Sequence, residues 1–368
     1  MKVPFNDLNR IHKPIKKKVM SKLDHTIDKS EFILSNSVLD FEKNFAKYTN
    51  SKYAISCSSG TDAIELILRA LNVGHGDEVI IPSNTFIATA LAVTRTGAKP
   101  IFTDNNNFYL IDVEKIVENI SNRTKAIIGV HLYGQQADNV EIKKICKENG
   151  LFYIEDSAQA HGSTYKENSP GKYGVAAAYS FYPGKNLGAW GDGGAITTNN
   201  GKLAEKLISI RNWGSKKKYI HDEIGFNSRL NTLQAIVLSE KLNYINDWNK
   251  QRNKVANLYL SELIEFENLI LPETFYSNYH TWHLFVIRVP NRNNFMSFMN
   301  ESGVELGIHY PIPIHNQKAY KYLKTKSNDL KNSENFSKKI VSLPIFPLMT
   351  SKELDYTIHK IKDYFMKK

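Results

Sequence analysis

The chain has 368 residues, 42% hydrophobic and 23% charged, with a formal net charge of +11. That composition is globular and long enough for one large domain and a smaller one. Two cysteines, Cys57 and Cys146, exclude a disulfide framework or a zinc site and suit a reducing cytoplasm, no apolar run reaches membrane length, and Met1–Lys18 lacks a secretory core. The positive charge, part of it in Lys16–Lys18 and Lys216–Lys218, favours anionic partners. No aromatic and basic motif of a nucleic-acid binder accompanies it, a phosphate-bearing substrate would also suit it, and charge alone does not decide.

Asn6–Ala46 reads as helical with a break at Ser30–Ser37. Its first part lacks a strong apolar face, which suits packing on a partner or service as an arm. A short strand follows at Ala54–Cys57, then the turn Ser58–Thr61, then a helix with Ile64, Leu68 and Leu71 on one face. Strands are predicted at Glu78–Ile81, Lys99–Thr103, Lys125–His131 and Leu151–Glu155, with helices at Thr85–Arg95 and Asn139–Asn149. Ala176–Asn199 supplies two more strands around a glycine-rich loop that carries Lys185. Such short, nearly all-apolar strands belong in a mostly parallel sheet covered on both faces. Beyond it come a helix at Lys202–Ile210, a basic loop, and one long helix over Thr232–Ser261. A strand at His283–Val289, a helix at Asn293–Glu301 and an amphipathic tail at Ser351–Lys367 suggest a smaller α+β domain. The division is drawn at 1–240 and 241–368.

Ligands of such sheets sit at the carboxyl ends of the strands. The notable polar residues fall there: Ser58–Thr61, Thr85, Asp156, Gln159, Ser180 and Lys185. Each has an ordinary reading alone. Lys185 is a solvated loop lysine, Asp156 a helix cap or ion-pair partner, Phe86 a core ring, and the Ser/Thr/Gly turn a simple cap. Together they match what pyridoxal phosphate asks of a protein. Lys185 offers the amine and Asp156 a carboxylate for the ring nitrogen. Gln159 suits the ring hydroxyl and Phe86 the ring face. Ser59, Gly60, Thr61 and Ser180 suit the phosphate.

The segments SSGTDAIELILRAL, DEVIIPSNTFIATALAV, VHLYGQQAD, YIEDSAQAHGSTY, SFYPGKNLGAWGDGGAITT and GFNSRLNTLQA carry a resemblance. The chain resembles the sugar aminotransferases of the DegT/DnrJ/StrS type, pyridoxal-phosphate enzymes of the aspartate-aminotransferase fold (fold type I). The resemblance implies an α/β protein with a mostly parallel seven-stranded sheet flanked by helices. It makes Lys185 the Schiff-base lysine and Asp156 the partner of the pyridine nitrogen. It also implies a homodimer in which Asn227 reaches the phosphate of the neighbouring subunit. Relatives that dehydrate carry histidine in place of this lysine, so its presence favours transamination. The expected reaction moves an amino group from L-glutamate to a nucleotide-linked keto-sugar, for a surface polysaccharide or glycoside. Lys218 and Arg229 are candidates for the diphosphate or carboxylate, and Tyr182, His309, Tyr310 and His315 for the sugar. The stretch Gly191–Gly194 and SFYPGKNLGA resemble enzymes that aminate C3 of dTDP-3-keto-6-deoxyhexoses. C4 amination, a UDP-linked substrate and a non-catalytic regulatory relative are the alternatives.

Overall fold

The computed structural model describes residues 1–325 and 329–366. Three helices open the chain, α1 (Leu8–His12), α2 (Lys16–Lys29) and α3 (Asn36–Tyr48). The weak apolar face of α2 finds its cover within the same chain. Ile15 and Val19 pack with Ile236 and Val237, and Lys22 pairs with Glu240.

Strand and helix then alternate as β1 (Tyr53–Cys57), α4 (Gly60–Ala70), β2 (Glu78–Pro82), α5 (Ile87–Arg95) and β3 (Lys99–Thr103). Next come α6 (Val113–Glu118), β4 (Thr124–Val130), α7 (Asn139–Asn149) and β5 (Phe152–Asp156). A two-residue β6 (Thr164–Tyr165), β7 (Ala176–Ser180) and β8 (Gly194–Thr198) follow. All but β6 form one seven-stranded sheet in the order β1-β8-β7-β5-β4-β2-β3. Neighbours are parallel except at β8, which runs antiparallel to β7 and β1. The reason is local: the loop 181–193 returns the chain directly, without the helical crossover a parallel neighbour requires. Val79, Ile80, Ile81, Ala126 and Ile127 are fully buried, as strands covered on both faces must be. Each buried valine or isoleucine side chain contributes roughly 1.5–3 kcal/mol by burial.

After β8 come α8 (Gly201–Ile210), a hairpin of β9 (Ser215–Lys217) and β10 (Ile220–His221), α9 (Thr232–Leu242) and α10 (Ile245–Leu263). The single helix expected over Thr232–Ser261 is therefore two. At the break, the Asn243 side-chain amide donates to the carbonyls of Ser239 and Glu240 at 3.3 and 3.4 Å. The Tyr244 N–H takes the Lys241 carbonyl at 2.9 Å, which ends the helical ladder.

The remainder holds β11 (Asn278–Tyr279), β12 (Phe285–Arg288), α11 (Arg292–Glu301), α12 (Lys331–Ser337), β13 (Ile340–Leu343) and α13 (Ser351–Met366). Lys367, the last residue of the expected tail, lies outside the described residues. Strands β12 and β13 pair antiparallel over a hydrophobic cluster that includes Val255, Tyr259, Phe295 and Ile361. Val3, from the opposite end of the chain, belongs to the same cluster. Other C-terminal residues, Val286, Ile314, Tyr320 and Ile340, pack into the core of the large sheet. The two parts of the chain are interlocked, which fixes the segment 306–315 against the sheet edge. Among the described residues, no helix is long and apolar enough to cross a membrane.

Candidate active site

Because β1, β2, β5 and β7 point the same way, their carboxyl ends share one edge, and a cavity of about 670 Å³ opens there. Bare glycine backbone shapes its floor. A Cβ on Gly60 would stand 2.7 Å from the Ser180 Cβ, and one on Gly194 would stand 2.3 Å from the Ser59 carbonyl. Their absence lets Ser59, Gly60 and Thr61 meet Ser180 at the start of α4. Ser59 caps that helix, its hydroxyl accepting the Asp62 N–H at 3.1 Å. The first N–H groups of a helix have no partner within it and carry the positive end of its dipole. This corner is built to take an anion such as a phosphate.

Asp156 ends β5 and is 4% exposed. One carboxylate oxygen accepts the Thr89 hydroxyl at 2.8 Å and the other the Ala158 N–H at 3.1 Å. Burial pushes its acid strength down, raising the pKa, while Thr89, Ala158 and nearby Lys185 pull the other way. A cation at this spot would restore the ionised form.

Lys185 sits in the return loop, where its N–H donates to the Tyr182 carbonyl at 2.9 Å. Burial pushes its pKa down to about 8, against the opposing pull of Asp156. A lysine so placed supplies a neutral amine at modest cost. Gly188 lets the loop fold back, since a Cβ there would lie 2.2 Å from the Pro183 carbonyl.

Gln159 accepts the Tyr133 N–H at 2.7 Å and donates to the Tyr310 hydroxyl at 3.0 Å. Phe86 is 51% exposed, lines the cavity, and its ring centre stands 5.4 Å from that of Tyr310. These features fit pyridoxal phosphate: an anion cradle, a buried carboxylate for a ring cation, an amine, and a bare aromatic face for a flat ring.

The expected sugar residues divide. Tyr182, His309 and Tyr310 line the cavity. His315 does not: it is buried between the Ser83 hydroxyl at 2.6 Å and Glu334 at 3.0 Å. Lys218, Asn227 and Arg229 also lie outside the lining of their own chain's cavity. Lys218 is exposed over the Tyr219 ring. Asn227 is exposed and bridges to Asn212. Arg229 donates to the Asn212 side chain at 2.9 Å and stacks on Trp213.

Several lining residues escape a reading of the sequence. Thr89 lies one helical turn beyond Thr85, and only its place at the start of α5 hints at the role. His283 stands in an apolar run that gives no signal. Its Nδ1 meets the Asn186 Oδ1 at 3.1 Å, while the Asn186 amide donates to Asn249 and to the Thr281 carbonyl. That arrangement makes Nδ1–H the donor. Phe5 and Asn6 reach the cavity from the chain's start.

The model of the DegT/DnrJ/EryC1/StrS aminotransferase family matches residues 13–362. The chain is 46% identical over 363 residues to the dTDP-3-amino-3,6-dideoxy-alpha-D-galactopyranose transaminase of Aneurinibacillus thermoaerophilus, covering 98% of this chain and 99% of that one. Its fold superposes on S. venezuelae DesV in complex with a ketimine intermediate with a TM-score of 0.96 and 37% identity, covering 99% and 98% of the two chains. It superposes on NtdA from Bacillus subtilis with bound cofactor PMP with a TM-score of 0.93 and 34% identity, covering 100% of this chain and 86% of that one. A match that covers residues 13–362, every strand of the sheet with Asp156 and Lys185 among them, makes this chain a member of the DegT/DnrJ/EryC1/StrS aminotransferase family.

Proposed function

We propose that this chain is a pyridoxal-phosphate aminotransferase that moves an amino group from L-glutamate to C3 of a dTDP-linked 3-keto-6-deoxyhexose, the product serving a surface polysaccharide or glycoside. The observation that carries the reading is the Lys185–Asp156 pair facing one cavity, in a chain similar over its whole length to a dTDP-3-amino-sugar transaminase. Bound there, the cofactor supplies an electron sink for the carbon that loses a proton. Ser59, Gly60, Thr61 and Ser180 hold its phosphate, and Phe86 and Gln159 orient its ring. Asp156 holds the ring nitrogen in its protonated state. Lys185 Nζ takes the proton from Cα of the donor and later delivers one to C3 of the sugar.

A chemical test separates the alternatives. Purified, cofactor-loaded protein is incubated with L-glutamate and, separately, with dTDP-3-keto-6-deoxyglucose, dTDP-4-keto-6-deoxyglucose and UDP-linked keto-sugars, and turnover is expected with the first, whose product carries nitrogen on C3 by NMR. A product carrying nitrogen on C4, or turnover confined to UDP-linked sugars, overturns the reading.

The working unit in this reading is a homodimer with a site at each subunit boundary. Tyr219 and Ile224, on and beside the β9–β10 hairpin, are 83% and 90% exposed, apolar side chains that a neighbouring subunit could cover. Asn227, Lys218 and Arg229 stand near that hairpin, outside their own cavity, where a neighbour's phosphate or diphosphate would meet them. Sedimentation equilibrium is expected to return twice the chain mass, and a monomer at micromolar concentration contradicts the arrangement.

A further inference from the structure

The start of the chain is pinned at two points. Val3 is fully buried and bridges to Val304, its N–H on the Gly303 carbonyl at 2.8 Å and its carbonyl taking the Glu305 N–H at 2.9 Å. Arg10 makes two bonds to Glu353 of α13, at 2.7 and 2.6 Å, and one to the Leu348 carbonyl at 2.9 Å. Between these anchors the chain runs along the cavity, and Phe5 and Asn6 form part of its lining.

Phe5 is held as firmly as its backbone. Its N–H donates to Glu305 at 3.1 Å, and its ring stacks on His309 with centroids 5.6 Å apart and planes 20° from parallel. Gly307 makes that stack possible. A Cβ on Gly307 would lie 2.8 Å from His309 Cε1 and 3.1 Å from Phe5 Cζ. His309 is fixed in turn, its Nδ1 2.8 Å from the Ser342 hydroxyl.

The inner end of the cavity is committed to the cofactor by the phosphate corner, Asp156 and Lys185. The wall of Phe5 and His309 is left for the second reactant. It carries no charge, since burial and nearby Lys185 hold His309 down to about 4, so it offers nothing to the carboxylates of glutamate. An apolar ring face suits the C–H surface of a sugar that lacks a hydroxyl.

We propose that Phe5, stacked on His309 over Gly307, is a specificity-determining contact for the sugar ring and favours a 6-deoxyhexose over its 6-hydroxy counterpart. This rests on the proposed sugar substrate and names a residue that reads it. A hydrophobic wall discriminates against an added hydroxyl by at most about 100-fold.

The two half-reactions are measured separately by absorbance on the cofactor-loaded protein. In Phe5→Ala, KM for the dTDP-3-keto-6-deoxyhexose is expected to rise about 10- to 100-fold. The glutamate half-reaction changes less than about twofold, because no charge near it is altered. Phe5→Leu keeps an apolar wall and stays within about threefold for the sugar. In Phe5→Ser, the preference for the 6-deoxy over the 6-hydroxy sugar falls about tenfold. An unchanged sugar KM in Phe5→Ala, or an equal fall in both half-reactions, overturns the assignment by showing a bystander or a merely structural strap. If the unmodified protein aminates a different keto-sugar, the functional reading fails while the same comparison on that sugar still decides the role of Phe5.

Discussion

Lys185→Ala is expected to lower amino transfer by at least about 10,000-fold while the protein keeps its melting temperature within a few degrees. The size follows from two losses at once. The amine that anchors the cofactor is gone, and so is the base that carries protons, which alone contributes 100- to 10,000-fold. The fold should survive, because among the described residues nothing hydrogen-bonds to the Lys185 ammonium, and the loop is held by backbone contacts such as Tyr182 and Ala189. Lys185→Arg should be equally inactive, since a guanidinium stays protonated and cannot act as the base. A small primary amine added to the alanine variant should restore part of the rate, because the cavity then has room for it. In the unmodified, cofactor-free protein, the pKa of about 8 sets the sign of the pH effect. The neutral amine falls about tenfold for each pH unit below that value, and cofactor capture slows with it. Single-turnover absorbance measures each of these, and an alanine variant within tenfold of the parent rate removes Lys185 from its role.

How much of this was legible in the sequence depends on how far apart the partners lie. The sheet strands announce themselves because each is a short apolar run bounded by turns. The corner at Ser59–Thr61, Asp156 and Lys185 is legible because each lies at or shortly after the end of a strand, Lys185 in the loop that follows β7, and parallel strands bring those ends together. The Phe5–His309 stack is not, because its two rings lie some three hundred residues apart in sequence and meet through contacts such as the Val3–Val304 bridge and the Phe5 N–H to Glu305, pairings no local pattern records. His315 misleads for a related reason. It shares a segment with His309 and Tyr310, but past Pro313 the chain enters a 3-10 turn, and Ser83 and Glu334 take the imidazole away from the cavity. The break between α9 and α10 was hidden by an unbroken helical pattern, since one asparagine bonding back to the preceding turn leaves no composition signal.

Asp156→Asn is expected to cost about 1,000-fold in both half-reactions with little loss of stability. The amide keeps the shape, with its oxygen accepting the Ala158 N–H and its NH2 donating to the Thr89 hydroxyl, yet it carries no charge to hold a protonated ring nitrogen, and buried electrostatic contacts of this kind account for losses of that size. The pH dependence of cofactor affinity tests the same point without turnover. Burial raises the Asp156 pKa, so as pH falls the group takes a proton, loses its hold on the cation, and affinity should drop. In Asp156→Asn that acid edge should vanish, leaving weak binding at every pH. Thr89→Val supplies the finer check. The Thr89 hydroxyl lowers the Asp156 pKa by donating to its carboxylate at 2.8 Å, so its removal should move the edge to higher pH and cost about tenfold in rate at neutral pH, a hydrogen bond to a charged group being worth about 1.5–3 kcal/mol. An edge that stays where it was would leave Thr89 a packing role and would place the control of Asp156 in burial, the Ala158 N–H and nearby charges.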